Sequence, residues 1–300
     1  MLRRCATLAP VRAFAIIVSS CVALRAQETT FEDTVTLEPG GRLSLDTTRG
    51  SVRLTSWDRP MVEIRARIEP PRGRGVDADY ARRAVDGTTI EVEGCGRSVR
   101  IRTDYDGVLR QGVFGGWRNV PRVHYEIRAP RQLDVDLDID RSDTTVQGFE
   151  GRLRFDLDRS DLDASDLAGT ITIKLNLAEL LVSDLTGDLS LDLDRGQRVV
   201  LDGISGSLRL DIDRTNVTMR NVRINDDSHV DIDRGDLVIE LVETQPLTIA
   251  ADMSRRGDFS SDLPVTMRQT GRNFRGTING GGPELRIEAD RSDVRLRAIN

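Results

Sequence analysis

Aromatic side chains make up only 4% of this 300-residue chain. A single large globular core ordinarily draws on more of them, so the scarcity favours a thin, repetitive core of Leu, Ile and Val. Cysteine is scarcer still, with Cys5, Cys21 and Cys95 the whole supply. The first two fall in an N-terminal segment that reads as an export signal. Cys95 is then left alone, which excludes an internal disulfide in the mature chain. A lone cysteine of this kind is expected to be a small buried or half-buried residue rather than a reactive thiol.

Histidine is limited to His124 and His229, neither with a companion at metal-ligand spacing. The chain has no Gly-x-Ser-x-Gly elbow, no phosphate loop and no cysteine–histidine pair. No catalytic, cofactor-binding or metal-ligating residue is assigned on this basis, and the chain is not expected to be an enzyme or to carry a cofactor. Net charge points away from another class. The formal charge is −6, and residues 1–26 hold four arginines and no acid, so the remainder stands at −10. Sequence-independent nucleic-acid binding needs a basic face, which an acidic chain does not offer.

The N-terminus combines Arg3, Arg4 and Arg12 with a short apolar run from Ala13 to Leu24. That run falls short of the roughly 20 apolar residues of a membrane span. It reads as a signal peptide cleaved after Ala26. A second reading takes Val18-Ser-Ser-Cys21 as a lipobox, with a lipid on Cys21. Either way the body is exported, to the periplasm or the cell surface, and touches a membrane only through a lipid at Cys21.

Beyond residue 27 the chain alternates apolar and polar residues, as half-buried strands do. Val35, Leu37, Leu43, Leu45, Val52 and Leu54 set the pattern, and Met61–Ile68 continues it. Residues 77–86 are the one fair helix candidate. A looser Gly-rich stretch over 106–119 carries Phe114 and Trp117, candidates for a contact loop. Three segments are expected within one continuous domain: an N-terminal cap over 27–132, regular repeats over 133–243, and a C-terminal cap over 244–300.

The repeat is the strongest signal. A phrase returns as Leu137-Asp-Ile-Asp-Arg-Ser-Asp143, Leu191-Asp-Leu-Asp-Arg-Gly196, Leu210-Asp-Ile-Asp-Arg-Thr215 and Val230-Asp-Ile-Asp-Arg-Gly-Asp236. Anchored on Arg141, equivalent positions fall at Arg159, Leu177, Arg195, Arg214 and Arg234, 18 to 20 residues apart. Four residues before the anchor stand Leu137, Phe155, Ile173, Leu191, Leu210 and Val230. Five after it stand Val146, Ala164, Val182, Val200, Met219 and Ile239. The Arg195 copy carries one extra residue, so Ile204 and Gly206 fall one place late. A period this short excludes helical hairpin repeats and predicts coils of parallel strands stacked about 4.8 Å apart. The expected fold is all-β: a parallel β-solenoid, right-handed as parallel crossovers usually are, with irregular capping ends.

The chain resembles the bacterial adhesin-domain family, exported β-solenoid proteins without an assigned biochemical function. The resemblance rests on Gly41-Arg-Leu-Ser-Leu-Asp-Thr-Thr-Arg-Gly-Ser-Val52, Val123-His-Tyr-Glu-Ile-Arg-Ala-Pro130, Phe259-Ser-Ser-Asp-Leu-Pro264 and Gly276-Thr-Ile-Asn-Gly-Gly-Gly-Pro-Glu-Leu-Arg-Ile287. It spans roughly residues 30–298 and implies an envelope protein. It transfers no catalytic residue.

The outward acids are the candidate site. One column holds Asp138, Asp156, Asp192, Asp211 and Asp231, and the next Asp140, Asp158, Asp194, Asp213 and Asp233. Carboxylates about 5 Å apart repel by about 1 kcal/mol even in water. Arg141, Arg159, Arg195, Arg214 and Arg234 are expected to offset this as a structural charge ladder. The Leu177 copy lacks the arginine, and there the acids become Lys174 and Asn176. Calcium is the rival explanation, but the phrase matches no known calcium loop and puts an arginine in every site. The function expected is a non-catalytic scaffold or adhesin-like module whose partner is an envelope polysaccharide, a protein or a second copy. A polysaccharide-acting enzyme and a calcium-dependent adhesin are the alternatives. Any binding surface is expected where the repeat breaks, around 106–119 and 244–283.

Overall fold

A computed structural model describes residues 28–73, 75–109, 119–254, 256–263 and 266–299. The expected signal segment with Cys21, and the candidate contact residues Phe114 and Trp117, lie outside them. The described chain opens with β1 (Thr29–Thr47), β2 (Gly50–Trp57) and β3 (Met61–Glu69). Helix α1 (Ala78–Asp86) leads to β4 (Thr89–Glu93), β5 (Gly96–Asp104) and the single turn α2 (Asp106–Leu109). Then come β6 (Arg122–Pro130), β7 (Leu133–Asp140), β8 (Ser142–Gln147), β9 (Glu150–Asp158), β10 (Leu162–Asn176) and β11 (Glu179–Asp194). The run continues through β12 (Arg198–Gly206), β13 (Leu208–Asp213), β14 (Val217–Ile224), β15 (Ser228–Asp233) and β16 (Leu237–Val242). It closes with β17 (Leu247–Met253), β18 (Phe259–Ser261), β19 (Thr266–Thr270), β20 (Asn273–Ile278), β21 (Glu284–Asp290) and β22 (Val294–Ile299).

Helix α1 forms where expected. Asp77 caps it by accepting from the Tyr80 amide at 2.7 Å, and Ala81, Ala84 and Val85 face inward. The strands follow their alternation. In β7, Leu133, Val135, Leu137 and Ile139 are buried and the four aspartates between them face out.

All strands join one continuous sheet with two faces about a shared core. On the first face β7, β9 and the C-terminal halves of β10 and β11 lie side by side, followed by β13, β15, β21, β17, β20 and β19. On the second, β3, β6, β2, β8 and the N-terminal halves of β10 and β11 are followed by β12, β14, β16 and β22.

The expected β-solenoid is corrected here. Eight strands pair in a closed ring, β1–β3–β6–β2–β8–β10–β9–β7 and back to β1, forming a closed barrel with the other strands added outside it. The ring closes because β1 and β10 are long enough to belong to both faces. It also closes because β3 pairs antiparallel with β1 and with β6. Uniform parallel pairing therefore does not hold, and β4–β5, β17–β20 and β19–β20 are antiparallel as well. An 18-residue period describes the offset between neighbours and carries no information about ring closure or antiparallel returns.

Across the first face, Leu137, Phe155, Ile173, Leu191, Leu210, Val230 and Ile287 are successive partners, all at most 1% exposed. Burying each such side chain contributes about 1.5–3 kcal/mol before conformational entropy is counted. The core column on the second face needs one correction. Val182 pairs with Leu201, not Val200, and Leu201 is buried while Val200 faces outward. The extra residue lies earlier than expected, at Gly196-Gln197 before β12, where the Gly196 amide donates to Thr215 Oγ1 at 2.7 Å.

Two glycines show how tightly the strands approach. Gly169 and Gly187 are partners at φ 112° and 131°, and a Cβ on Gly187 would stand 2.0 Å from the Gly169 carbonyl oxygen. Only a residue without a side chain fits.

Candidate functional site: the outer charge rows

The anchor of the repeat is a backbone corner. Arg141, Arg159, Leu177, Arg195, Arg214, Arg234 and Arg291 all have φ between 52° and 58°. That is the left-handed region, which costs a non-glycine residue about 1–2 kcal/mol. Each of the first six donates its amide to the carbonyl of the neighbouring turn, as Arg141 does to Asp158 at 2.9 Å and Arg195 to Asp213 at 3.0 Å. The corner turns the chain from the first face to the second and throws the arginine back over the strand it has just left.

That geometry decides which acids the arginines reach. Asp140, Asp158, Asn176, Asp194, Asp213, Asp233 and Asp290 are successive partners across the first face. Each aspartate in this inner row precedes a corner arginine. Arg195 Nη2 lies 2.7 Å from Asp194, Arg214 Nη2 2.7 Å from Asp213, and Arg234 Nη2 2.6 Å from Asp233. Arg159 pairs with Asp158, and Arg141 reaches Asp140 at 3.1 Å. Some arginines also touch the neighbouring turn: Arg159 to Asp140 at 3.5 Å, Arg234 to Asp213 at 3.4 Å, Arg291 to Asp233 at 3.0 Å. At Leu177 the missing arginine is replaced by an amide, for Asn176 Nδ2 donates to Asp158 Oδ1 at 3.0 Å.

The outer row, two residues earlier on each strand, is different. It runs Asp46, Asp138, Asp156, Lys174, Asp192, Asp211, Asp231, Glu288 and Asp252. Corner arginines do not reach it. Arg154 approaches Asp156 at 3.6 Å, Arg102 approaches Asp46 at 3.9 Å and Arg286 bonds Glu288 at 3.0 Å. Lys174, the only lysine in the sequence, interrupts it between Asp156 and Asp192.

A few members of each row have shifted carboxyls, and most of those shifts follow the arginines. Burial, with the Asp46 and Asp156 carboxylates, pushes Asp138 above the usual carboxylate range. Burial and the Asp211 and Glu288 carboxylates do the same to Asp231. Hydrogen bonds from Arg214 and Arg234 hold Asp213 and Asp233 below it. Asp140, also in the inner row, runs the other way, since burial outweighs Arg141 and Arg159 and raises it.

The remaining candidates are placed as follows. Cys95 is exposed, between Gly94 and Gly96 in the β4–β5 connection, rather than buried or half-buried. His229 faces outward on β15. His124 has companions that sequence spacing missed: its Nδ1 lies 2.9 Å from Ser51 Oγ and its Nε2 3.1 Å from Glu69 Oε2. Burial pushes Glu69 up, but the His124 hydrogen bond and Arg72 outweigh it and leave its carboxyl low. Hydroxyl, imidazole and carboxylate form a line across β2, β6 and β3. The strands on both sides are paired, Gly50 with Val123 and Val52 with Tyr125. Backbone amides there are committed to the sheet rather than aimed outward at a developing oxyanion. Among the described residues, no group of three or more His, Cys, Asp or Glu is placed to hold a metal ion, and no helix is long and apolar enough to cross a membrane.

No family profile matches the chain, and no curated protein matches it. Three solved structures are similar at low identity. A "putative cell adhesion protein" from Clostridium sporogenes is 13% identical with a TM-score of 0.25, covering 90% of this chain and 100% of the other. A "putative adhesin" from Bacteroides fragilis is 10% identical with a TM-score of 0.39, covering 92% and 100%. A "putative lipid binding protein" from Parabacteroides distasonis is 10% identical with a TM-score of 0.36, covering 89% and 96%. Likenesses this distant carry no functional argument. The expected membership of the adhesin-domain family as a β-solenoid is therefore corrected to a remote, low-identity likeness borne by a closed barrel.

Proposed function

We propose that this chain is a non-catalytic, exported interaction module of the bacterial envelope, working in the periplasm or at the cell surface. The observation that carries the reading is the first outer face. It is a broad, regular sheet surface on which side chains stand in rows, about 4.8 Å between neighbours along a row, suited to contact with an extended partner. Within it the Asp-x-Asp-Arg phrase serves the fold: each corner arginine pairs with the acid before it, and Arg159, Arg234 and Arg291 also reach the neighbouring strand. Export rests on the basic and apolar pattern of residues 1–26.

Cosedimentation of the purified protein with isolated bacterial envelopes tests the reading. Saturable retention, unchanged by calcium or a chelator and without release of new reducing sugar ends, is the expected result. Release of reducing ends that disappears on changing one aspartate would replace the module with an enzyme. Retention that requires calcium would replace the charge ladder with a cation site.

A further inference from the structure

The first face changes character at its C-terminal end. Arg209, His229, Arg286, Ala250, Arg275 and Arg268 are successive partners across β13, β15, β21, β17, β20 and β19. They form one outward row, about 24 Å long at the usual strand spacing. Along most of it the acidic outer row runs alongside, through Asp211, Asp231, Glu288 and Asp252. At β20 and β19 that acidic row gives way to Asn273 and Thr270. Residues 266–278 hold three arginines and no acid, in a chain whose net charge is −6.

Arg268 and Arg275 stand directly opposite each other on an antiparallel pair, both exposed. Like charges so placed are destabilising. Among the described residues neither has an ion-pair partner. Beside them runs a shallow groove lined by Thr248, Thr266, Thr277 and Glu284. Two facing guanidiniums with a row of hydroxyls form a receptor for an anion that also offers hydroxyls.

We propose that the outer face of β17, β20 and β19 binds a uronate-bearing polysaccharide. Arg268 and Arg275 meet its carboxylates, and Thr266 and Thr277 meet its sugar hydroxyls, while Arg286 is held by Glu288 and the Thr248 hydroxyl by the Gly282 backbone. This deepens the interaction-module reading and rests on it. A lipid surface fits less well: the one exposed large hydrophobic residue among those described is Leu177, at the β10–β11 corner, so this face offers nothing to insert into a bilayer. A nucleic-acid duplex would set its phosphates against Asp211, Asp231, Glu288 and Asp252 as well as against the arginines.

Biolayer interferometry of the full protein against immobilised polygalacturonate at low salt tests the proposal, with dextran as the neutral control. Binding to polygalacturonate and not dextran is expected. The Arg268→Ser/Arg275→Ser variant should weaken it at least about tenfold and flatten its salt dependence, while Arg295→Ser on the second face leaves it unchanged. The double variant should melt no lower than the parent, because a repulsion has been removed. Binding untouched by the double variant overturns the site. Absence of polygalacturonate binding by natively melting protein overturns the partner class, and retention on whole envelopes would show the module reading surviving that loss. Tighter binding to anionic phospholipid vesicles than to polygalacturonate overturns the proposal in favour of a membrane surface.

Discussion

Asp231 and Asp233 sit two residues apart on β15, point to the same side, and respond to their surroundings in opposite directions. The same contrast separates Asp138 from Asp213 on β7 and β13. One row lies beside the left-handed corners and receives their arginines. The other stacks carboxylate on carboxylate, beyond the corner's reach. The lesson is that repeated charge is not uniform charge. Where the backbone turns decides which acids are neutralised, and the outer row is left as an acidic stripe that solvent and a few strand arginines must screen.

The comparison requires the strands to stay in register, so breaking register has the largest effect. Gly187→Ala places a Cβ against the Gly169 carbonyl and should cost about 3 kcal/mol or more, read from urea unfolding. Phe155→Ala, which opens the core beneath both rows, should cost about 3–5 kcal/mol. The corners give a change of the opposite sign. Leu177→Gly should stabilise by about 1 kcal/mol, because it releases left-handed strain and gives up only a side chain that is 40% exposed. Arg195→Gly releases the same strain but forfeits the bond to Asp194, so its gain should be smaller.

The direct contrast between the rows is smaller again. Asp231→Asn should raise the melting temperature, by less than about 1 kcal/mol in stability, and Asp233→Asn should lower it. Acid sharpens the contrast. Asp231 has a raised folded value, so it costs stability at neutral pH, and that cost fades as pH falls through the raised value toward the ordinary one. Asp213 and Asp233 have depressed folded values. Their contribution is complete above the ordinary carboxylate range and is lost only as pH falls through those depressed values. The gain from Asp231→Asn should therefore vanish at milder acidity than the loss from Asp233→Asn, as melting curves across pH would show.

Much of this was legible in the residues. The 18-residue offset and the buried Leu137–Val230 column follow from apolar alternation, and the helix at 77–86 was the one fair helix candidate. Ring closure was not legible, because β3 is an ordinary alternating strand whose antiparallel direction leaves no mark on its composition. The corners were hidden for a related reason: left-handed positions usually advertise themselves with Gly or Asn, and here they carry Arg or Leu. Without the corners, the arginines were credited with both acidic rows when they reach one. Ser51 and Glu69 lie 73 and 55 residues from His124, and only the β2–β6 and β3–β6 pairings bring them together. The basic patch was hidden because nothing in the spacing of Arg268 and Arg275 marks the β19–β20 hairpin that sets them opposite each other, or its place beside β17.

Site-resolved carboxyl titration by carbon-13 NMR on the intact protein tests the central claim most directly. Asp231 should titrate above the usual carboxylate range and Asp233 below it. Two values on the same side of that range, or the reverse order, would contradict the division of the acids into a row that the corner arginines reach and one that they do not.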